Sequence, residues 1–284
     1  MEVGVYKGIS NDAYHGGEGV SKSGLDLIAR SPLHYWSKYL DPQREQQEPT
    51  PAMQLGTAIH SAVLEPDLFA SDYLVMPKFD RRTKDGKADY EAFVMEAAGR
   101  TVISGDDYAT CVQIQRNVTA HPAAQLLLAD GEPELSVFWR DAETGVLCKC
   151  RPDWMNYKAN VIVDVKSTDD ASPEGFKKSI AKYGYHVQAA WYLDGFKAAT
   201  GTAPKAFIFA AFEKKRPYAT AFYYADEAMI ELGRILYRER LNAYAQCLKR
   251  NLWPGYPQQL QPISLPAWVL KAANDNEETE IAYV

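Results

Sequence analysis

The feature that most constrains this chain is an apolar, mostly β-branched run that carries two charges, V-I-V-D-V-K at residues 161–166. Such a run predicts a buried β-strand. Because residues two apart on a strand point to the same face, Asp164 and Lys166 are expected to share one face, and Val163 and Val165 the other. A carboxylate and an ammonium group on a core strand are costly to bury without partners or a metal ion.

A second acid stands just before this strand. Residues 146–154 predict a strand that returns from a hairpin turn at 141–145 and brings Asp153 close to Asp164, with a polar turn at 156–160 between the two strands. Two carboxylates can hold a hard cation such as Mg²⁺ through their oxygens. The cation polarises a phosphoryl oxygen and lowers the pKa of a bound water.

A lysine beside such a cation orients the water and offsets the charge that builds on the phosphate. The pattern around Asp164 and Lys166 therefore predicts metal-assisted phosphodiester hydrolysis. The alternative is a hairpin whose Asp-Lys pair is solvated on an exposed face, because D-x-K alone is a common sequence.

Two further residues are candidate metal ligands. A helix predicted at Met53 to Leu64 carries His60, and Gly56 lies four residues earlier on the same face. His60 either points into the metal site or is a core or interface histidine. Glu134 opens a predicted strand and is either a further acid of the site or a solvated strand end.

A helix predicted at Tyr185 to Ala199 carries Gln188 and Tyr192 on one face, since they are four residues apart. Gln188 can hydrogen-bond a phosphate or a metal-bound water, and Tyr192 can pack on or bond to a DNA strand. The alternative is that both are ordinary boundary residues of the helix.

The order of predicted elements indicates an α/β fold with a central mixed β-sheet flanked by helices and an N-terminal helical region. The 284 residues permit one large domain or two small ones. We expect a single nuclease-like domain over residues 1–284. Its parts are a mainly helical stretch at 1–130, the sheet with its helices at 131–250, and a C-terminal arm at 251–284.

The formal net charge of −6 argues weakly against indiscriminate binding to nucleic acids. Local patches decide phosphate contacts, however, and each basic cluster in the sequence is either such a patch or a solvated face. The three clusters are Lys78, Arg81, Arg82, Lys84 and Lys87; Lys177, Lys178 and Lys182; and Lys214, Lys215 and Arg216.

Several classes of protein do not fit the sequence. No stretch is long and apolar enough to span a membrane, and the N-terminus lacks the pattern of a signal peptide. The four cysteines, at 111, 148, 150 and 247, have no zinc-knuckle spacing and predict reduced core residues. No Walker-type glycine loop is present, so ATP use is not indicated. These observations predict a cytoplasmic protein.

Five blocks, in this order, resemble the PD-(D/E)xK nuclease superfamily, and within it the branch of the RecB and RecE nuclease domains. They are S-K-S-G-L-D-L-I-A-R-S-P-L-H-Y, G-T-A-I-H, R-P-D, I-V-D-V-K-S-T and Q-A-A-W-Y, which span about residues 20–195. Each block is weak alone, whereas the ordered set is specific. The sequence is most similar to the exodeoxyribonuclease VIII (RecE-type) domain of phages and prophages.

The resemblance implies a role for each matching residue. Those roles are His60 and Asp153 as metal ligands, Asp164 as the central metal-bridging acid, the Val165 carbonyl as a further ligand, Lys166 as the catalytic lysine, and Gln188 and Tyr192 as a Q-x-x-x-Y element that faces DNA. Glu134 is similar to an upstream acid of some members. A histidine ligand is unusual for Mg²⁺, so Mn²⁺ is expected to support activity as well.

The sequence departs from some relatives at Ser31, where those relatives carry one cysteine of an iron–sulfur cluster. No cysteine precedes Cys111 in this chain, so such a cluster is not expected.

The activity implied by the resemblance is metal-dependent 5′-to-3′ degradation of one strand of linear duplex DNA, which leaves a 3′ single strand. A single-strand annealing protein of the RecT or Bet type is the partner that the resemblance implies. It also implies a ring-shaped homo-oligomer whose inner channel would be basic although the chain is acidic overall. The alternatives are an endonuclease or Cas4-like trimming nuclease of the same core, and a non-catalytic DNA-binding subunit.

Overall fold

The computed structural model describes residues 1–44 and 48–265. Residues Met1–Trp253 form one compact unit, and Pro254–Val284 form a second unit. Residues 254–265, the described part of the second unit, contain no helix or strand. The predicted C-terminal arm at 251–284 lies outside the described residues from 266 onward. The division of the chain into three parts stays a prediction.

The described residues form eleven helices and ten strands. The helices are α1 Asn11–Gly16, α2 Lys22–Arg30, α3 Pro32–Tyr39, α4 Pro51–Leu64, α5 Pro66–Asp72, α6 Lys84–Glu96, α7 Gly105–Ala120, α8 Pro122–Leu127, α9 Pro173–Tyr183, α10 Tyr185–Thr200 and α11 Glu227–Arg250. The strands are β1 Gly4–Tyr6, β2 Tyr73–Val75, β3 Thr101–Ile103, β4 Gly131–Pro133, β5 Ser136–Arg140, β6 Leu147–Cys150, β7 Trp154–Asn156, β8 Val161–Thr168, β9 Ala206–Glu213 and β10 Thr220–Tyr224.

The central sheet has five strands in the order β10-β9-β8-β7-β4. β8 pairs with β9 in parallel, and the other three pairings are antiparallel, so the sheet is mixed. A smaller antiparallel sheet has the order β1-β5-β6, and β2 pairs with β3 in a third sheet. The predicted α/β fold with a mixed sheet flanked by helices is confirmed.

β8 is the middle strand of the central sheet and is covered on both faces. Val163 and Val165 pack in one apolar core with Ile59 of α4, while Ile162 packs in a second core with Trp191 of α10. A strand buried on both faces needs apolar residues at successive positions. This explains why residues 161–165 of β8 are apolar except at Asp164, which shares its face with Ile162.

The strand predicted at residues 146–154 is instead two strands, β6 and β7, that belong to different sheets. Residues 151–153 separate them. Pro152 has no backbone N–H to donate to a neighbouring strand, so strand pairing stops there. Asp153 consequently lies where the chain passes from the small sheet to the central sheet.

Other boundaries also differ from the prediction. The strand expected from Glu134 begins at Ser136, because Glu134 has a left-handed backbone conformation with a φ of 49°. β4, which was not predicted, precedes it. The basic cluster from Lys78 to Lys87 is partly helical, since α6 begins at Lys84 and Thr83 caps it by accepting a hydrogen bond from the N–H of Gly86.

All four cysteines are free and buried. Of the helices among the described residues, none is both long enough and apolar enough to cross a membrane.

Gly233 marks a close approach between α11 and α10. A Cβ at this position would lie 2.2 Å from the carbonyl oxygen of His186 and 2.9 Å from the Cβ of Ala190. A backbone oxygen cannot rotate away as a flexible side chain can, so the two helices would have to separate.

We expect Gly233→Ala to lower the free energy of unfolding by roughly 1–3 kcal/mol, which is typical of overpacking. This loss exceeds the gain of about 1 kcal/mol that alanine gives in a helix interior. Urea unfolding followed by circular dichroism measures the difference. Gly16→Ala is the control, since a Cβ there meets nothing within 4 Å. Greater stability in the Gly233 variant would contradict the packing described.

Candidate metal centre

Helix α4 brings His60 to the junction between β6 and β7. Ala58, Ile59 and Ala62 are fully buried, so the apolar side of α4 lies directly on the sheet. The Nδ1 atom of His60 lies 3.5 Å from Oδ2 of Asp153. The backbone of Val165 lies beside the imidazole and opposes the lowering of its pKa.

Glu134 joins this pair from the turn that precedes β5. Its backbone N–H donates a hydrogen bond of 3.1 Å to the carbonyl oxygen of Asp153. One ligand atom each from His60, Glu134 and Asp153 lies within 4.8 Å of the other two. An imidazole nitrogen with two carboxylate oxygens is a donor set that suits Mn²⁺ and, through its oxygens, Mg²⁺.

Asp164 is fully buried beside this cluster and has its own partners. Its Oδ1 accepts a hydrogen bond of 2.7 Å from Nε2 of Gln188, and its Oδ2 contacts the ammonium group of Lys166. The group of closely spaced ligand atoms that the described residues form does not include Asp164. The backbone N–H of Val165 donates a hydrogen bond of 2.7 Å to Oδ2 of Asp153, which ties the two acids together through β8.

Lys166 projects from the same face of β8 as Asp164, as its spacing predicts. Its ammonium lies 4.7 Å from the centre of the Tyr185 ring, a cation–π contact. Burial lowers the pKa of Lys166, but Asp164 and Asp153 raise it by more, so the net shift is upward. Lys166 therefore stays cationic at neutral pH.

The acids of the site are easier to protonate than acids in water. Burial raises the pKa of Glu134 to about 8, with Asp153 adding to the rise and Arg151 opposing it. Burial also raises the pKa of Asp153 and of Asp164 to about 6, against the lowering effect of Lys166. The positive charges of Arg151 and Lys166 thus do not fully stabilise the ionised acids, and a divalent cation would supply the remaining positive charge.

His60 is shifted in the opposite direction. Burial, and then the nearby charge of Lys166, lower the pKa of His60 to about 4. The imidazole is consequently neutral at pH 7 and has a lone pair to offer a metal ion. The donor set and its electrostatics fit a divalent cation held by His60, Glu134 and Asp153, with Asp164 next to them.

His60, Glu134 and Asp153 line a cleft of about 550 Å³. Gln188 and Tyr192 both line it from α10, and Tyr192 is half-buried with its ring 6.0 Å from that of Phe207. None of the residues of the three predicted basic clusters is part of the cleft lining.

The cations that do line the cleft are Lys22, Lys149 and Arg151, which the sequence reasoning missed. Lys22 is bound to Asp26, four residues later, and to the carbonyl oxygen of Tyr183. Lys149 and Arg151 could have been found from their spacing. Residues 149, 151 and 153 are two apart along one stretch that ends in the R-P-D block, which is the spacing of residues on one face of a strand.

The fold and the sequence were compared with known proteins. A presumed exonuclease from Eubacterium rectale is 14% identical, with a TM-score of 0.60, over 94% of this chain and 99% of that chain. An alkaline exonuclease from Laribacter hongkongensis is 15% identical, with a TM-score of 0.27, over 69% of this chain and 97% of its own. A phage-related exonuclease from Haemophilus somnus is 12% identical, with a TM-score of 0.30, over 84% and 99%.

No curated protein matches the sequence. Residues 21–265, by contrast, match the family described as a PDDEXK-like domain of unknown function (DUF3799). This match covers all five blocks that predicted the relationship and confirms it. The chain belongs to this PDDEXK-like family, within the PD-(D/E)xK nuclease superfamily.

Proposed function

We propose that this protein is a metal-dependent nuclease that hydrolyses phosphodiester bonds of DNA. One observation carries the proposal: His60, Glu134 and Asp153 place their ligand atoms within 4.8 Å of one another, directly beside the Asp164–Lys166 pair. Burying such charges is costly unless they are paired, hydrogen-bonded or bound to a metal ion. Membership in a PDDEXK-like family and a fold like that of a presumed exonuclease support the same activity.

The metal ligands in this proposal are His60, Asp153, Asp164, the carbonyl of Val165 and Glu134, and the ion is Mg²⁺, with Mn²⁺ as a substitute. When bound, the ion would polarise the scissile phosphate and make a bound water more acidic. No ATP and no iron–sulfur cluster enter the proposal.

The side chains of the protein have distinct tasks in hydrolysis. Lys166 keeps its positive charge and is placed to orient the attacking water and to offset charge on the phosphate. Gln188 holds one oxygen of Asp164 by its hydrogen bond, which fixes the direction of the other oxygen. Tyr192 offers a ring and a hydroxyl group on the cleft wall, where the sugar-phosphate chain would pass.

The finer assignment is an exodeoxyribonuclease that acts on ends of linear duplex DNA, from 5′ to 3′, and leaves 3′ single strands for strand annealing in recombination. Its support is the resemblance to RecE-type domains. The same resemblance underlies a cytoplasmic location, a ring-shaped homo-oligomer and a single-strand annealing partner. An endonuclease, a Cas4-like nuclease and a non-catalytic DNA-binding subunit are the outcomes that the tests below separate from this assignment.

Lys166→Ala is expected to lower the cleavage rate by about 10²- to 10³-fold, because it removes the cation that faces the developing charge. Asp164→Asn is expected to abolish Mg²⁺-dependent cleavage, while circular dichroism shows an intact fold. Release of acid-soluble nucleotides from linear duplex DNA, with and without EDTA, is the measurement. Lys197→Ala, on the exposed side of α10 and outside the basic clusters, is the control. Undiminished degradation by the Lys166 variant would disprove its assigned role.

Duplex DNA labelled at either the 5′ or the 3′ terminus tests the polarity. We expect label at the 5′ terminus to be released first, and circular duplex DNA to remain intact. Nicking of circular DNA at a comparable rate would identify an endonuclease instead. Binding without any cleavage, in Mg²⁺ or Mn²⁺, would identify a non-catalytic subunit.

Glu134 gives a pH test of metal binding. Its pKa in the folded protein, about 8, lies above the ordinary value of 4.5, so the folded state retains a proton that the unfolded state loses. Its contribution to stability is therefore full below about pH 4.5 and is lost progressively as the pH rises from there to about 8. Relative to Glu134→Gln, we expect metal-free wild type to lose up to about 1.4 kcal/mol of unfolding free energy per pH unit in this window.

The cation should reverse that loss, because it stabilises the ionised cluster. Thermal unfolding at about pH 8, with Mn²⁺ or with EDTA, is expected to show a larger increase in the melting temperature for wild type than for Glu134→Gln. Equal increases for the two proteins would exclude Glu134 from the metal site.

A further inference from the structure

The guanidinium group of Arg151 joins three separate segments of the chain next to the metal centre. Its Nε and Nη2 donate hydrogen bonds of 3.1 and 2.7 Å to Oγ of Ser136 on β5. Nη2 also donates to the carbonyl oxygen of Ile9 at 2.9 Å, and Nη1 donates to Oδ1 of Asn11 at 2.8 Å. The residue is 8% exposed; its bonds to Ser136 are buried, and those to Ile9 and Asn11 are partly buried.

The hydrogen bonds to Ser136 connect the two stretches that carry acids of the site. Glu134 lies two residues before Ser136, and Asp153 lies two residues after Arg151. The same stretches are joined by the hydrogen bond from the Glu134 N–H to the Asp153 carbonyl. Neither acid lies within a regular strand, although their neighbours Pro133 and Trp154 are paired in β4 and β7. The guanidinium fork adds a side-chain restraint on the other side of the two acids, next to β5.

The remaining bonds of Arg151 hold the N-terminal segment, residues 9–17, against the cleft. Lys149, two residues before Arg151, holds the same segment. Its ammonium donates hydrogen bonds of 2.6 Å to the carbonyl oxygen of Tyr14 and 2.7 Å to that of Gly17. The Tyr14 ring contacts both cations, at 4.1 Å from the guanidinium carbon and 5.0 Å from the ammonium nitrogen. Lys149 makes no hydrogen bond to Ser136, so it anchors the segment without bridging the acids.

We infer that Arg151 is a positioning residue for the metal centre, which it serves by fixing Glu134 relative to Asp153. The inference rests on the proposed function, since it concerns the same metal site. The positive charge of Arg151 alone is not sufficient to fix Glu134 relative to Asp153. Arginine presents donors in a rigid planar fork, whereas lysine presents a single point charge. Partners that orient metal ligands typically change metal affinity by about 10- to 100-fold when they are removed.

The test is Mn²⁺ binding, measured without DNA by isothermal titration calorimetry and by electron paramagnetic resonance. We expect Arg151→Met to weaken Mn²⁺ binding by about 10- to 100-fold, and Arg151→Lys to weaken it nearly as much. Ser136→Ala, which removes the shared acceptor with little change in volume, should weaken binding in the same direction. This variant decides the question if Arg151→Met does not fold.

Two matched variants serve as controls. Arg238→Met removes another partly buried guanidinium group, which is bound to Asp141 at the far end of β5, and should leave Mn²⁺ affinity within about threefold of wild type. Lys149→Met loosens residues 9–17 without touching Ser136 and should likewise leave the affinity nearly unchanged.

Each alternative outcome overturns the inference in a recognisable way. Wild-type affinity in Arg151→Met or in Ser136→Ala would show that the fork does not position the acids. Full affinity in Arg151→Lys would assign the effect to charge alone. Equal losses in Lys149→Met and Arg151→Met would assign it to the N-terminal segment. Wild-type protein that binds Mn²⁺ but does not cleave DNA would remove the nuclease proposal alone, and wild-type protein that binds no Mn²⁺ would remove both.

Discussion

The structure depends on a single strand, β8, that places charged side chains inside an apolar core. β8 is covered by α4 on one side and by α10 on the other, and its Asp164 is completely buried. A buried carboxylate is tolerated only where hydrogen bonds and an opposite charge compensate for its lost hydration. Gln188 and Lys166 supply both, so the side chains around Asp164 are as constrained as any apolar contact in the core.

This constraint explains why the centre of the molecule was predictable from the sequence. The alternation of strands fixes which side chains share a face, so Asp164 and Lys166 could be paired without coordinates. Helical periodicity likewise placed His60 and Gly56 on one face of α4, and Gln188 and Tyr192 on one face of α10. Each inference used the period of one element, which is a local property of the chain.

The parts that escaped prediction depend on relations between elements. Asp153 lies where the chain passes from one sheet to another. The periodicity of the surrounding residues does not indicate that pairing in the first sheet stops at Pro152 or that the next sheet begins beside it. Glu134 adopts a left-handed conformation, which a glutamate rarely does, and its backbone N–H donates to the carbonyl oxygen of Asp153, a residue distant in sequence. Arg151 has the sequence appearance of a surface cation, yet its partners come from the N-terminal segment and from β5.

The residues proposed for the site come from different layers of the fold, which has a consequence for biosynthesis. His60 comes from a helix on one face of the central sheet, Gln188 from a helix on the other, and Glu134 and Asp153 from the border with the small sheet. A growing polypeptide on the ribosome carries the histidine long before the glutamine emerges, and it holds only fragments of the site. The proposed metal site would thus stay incomplete until α10 packs against β8.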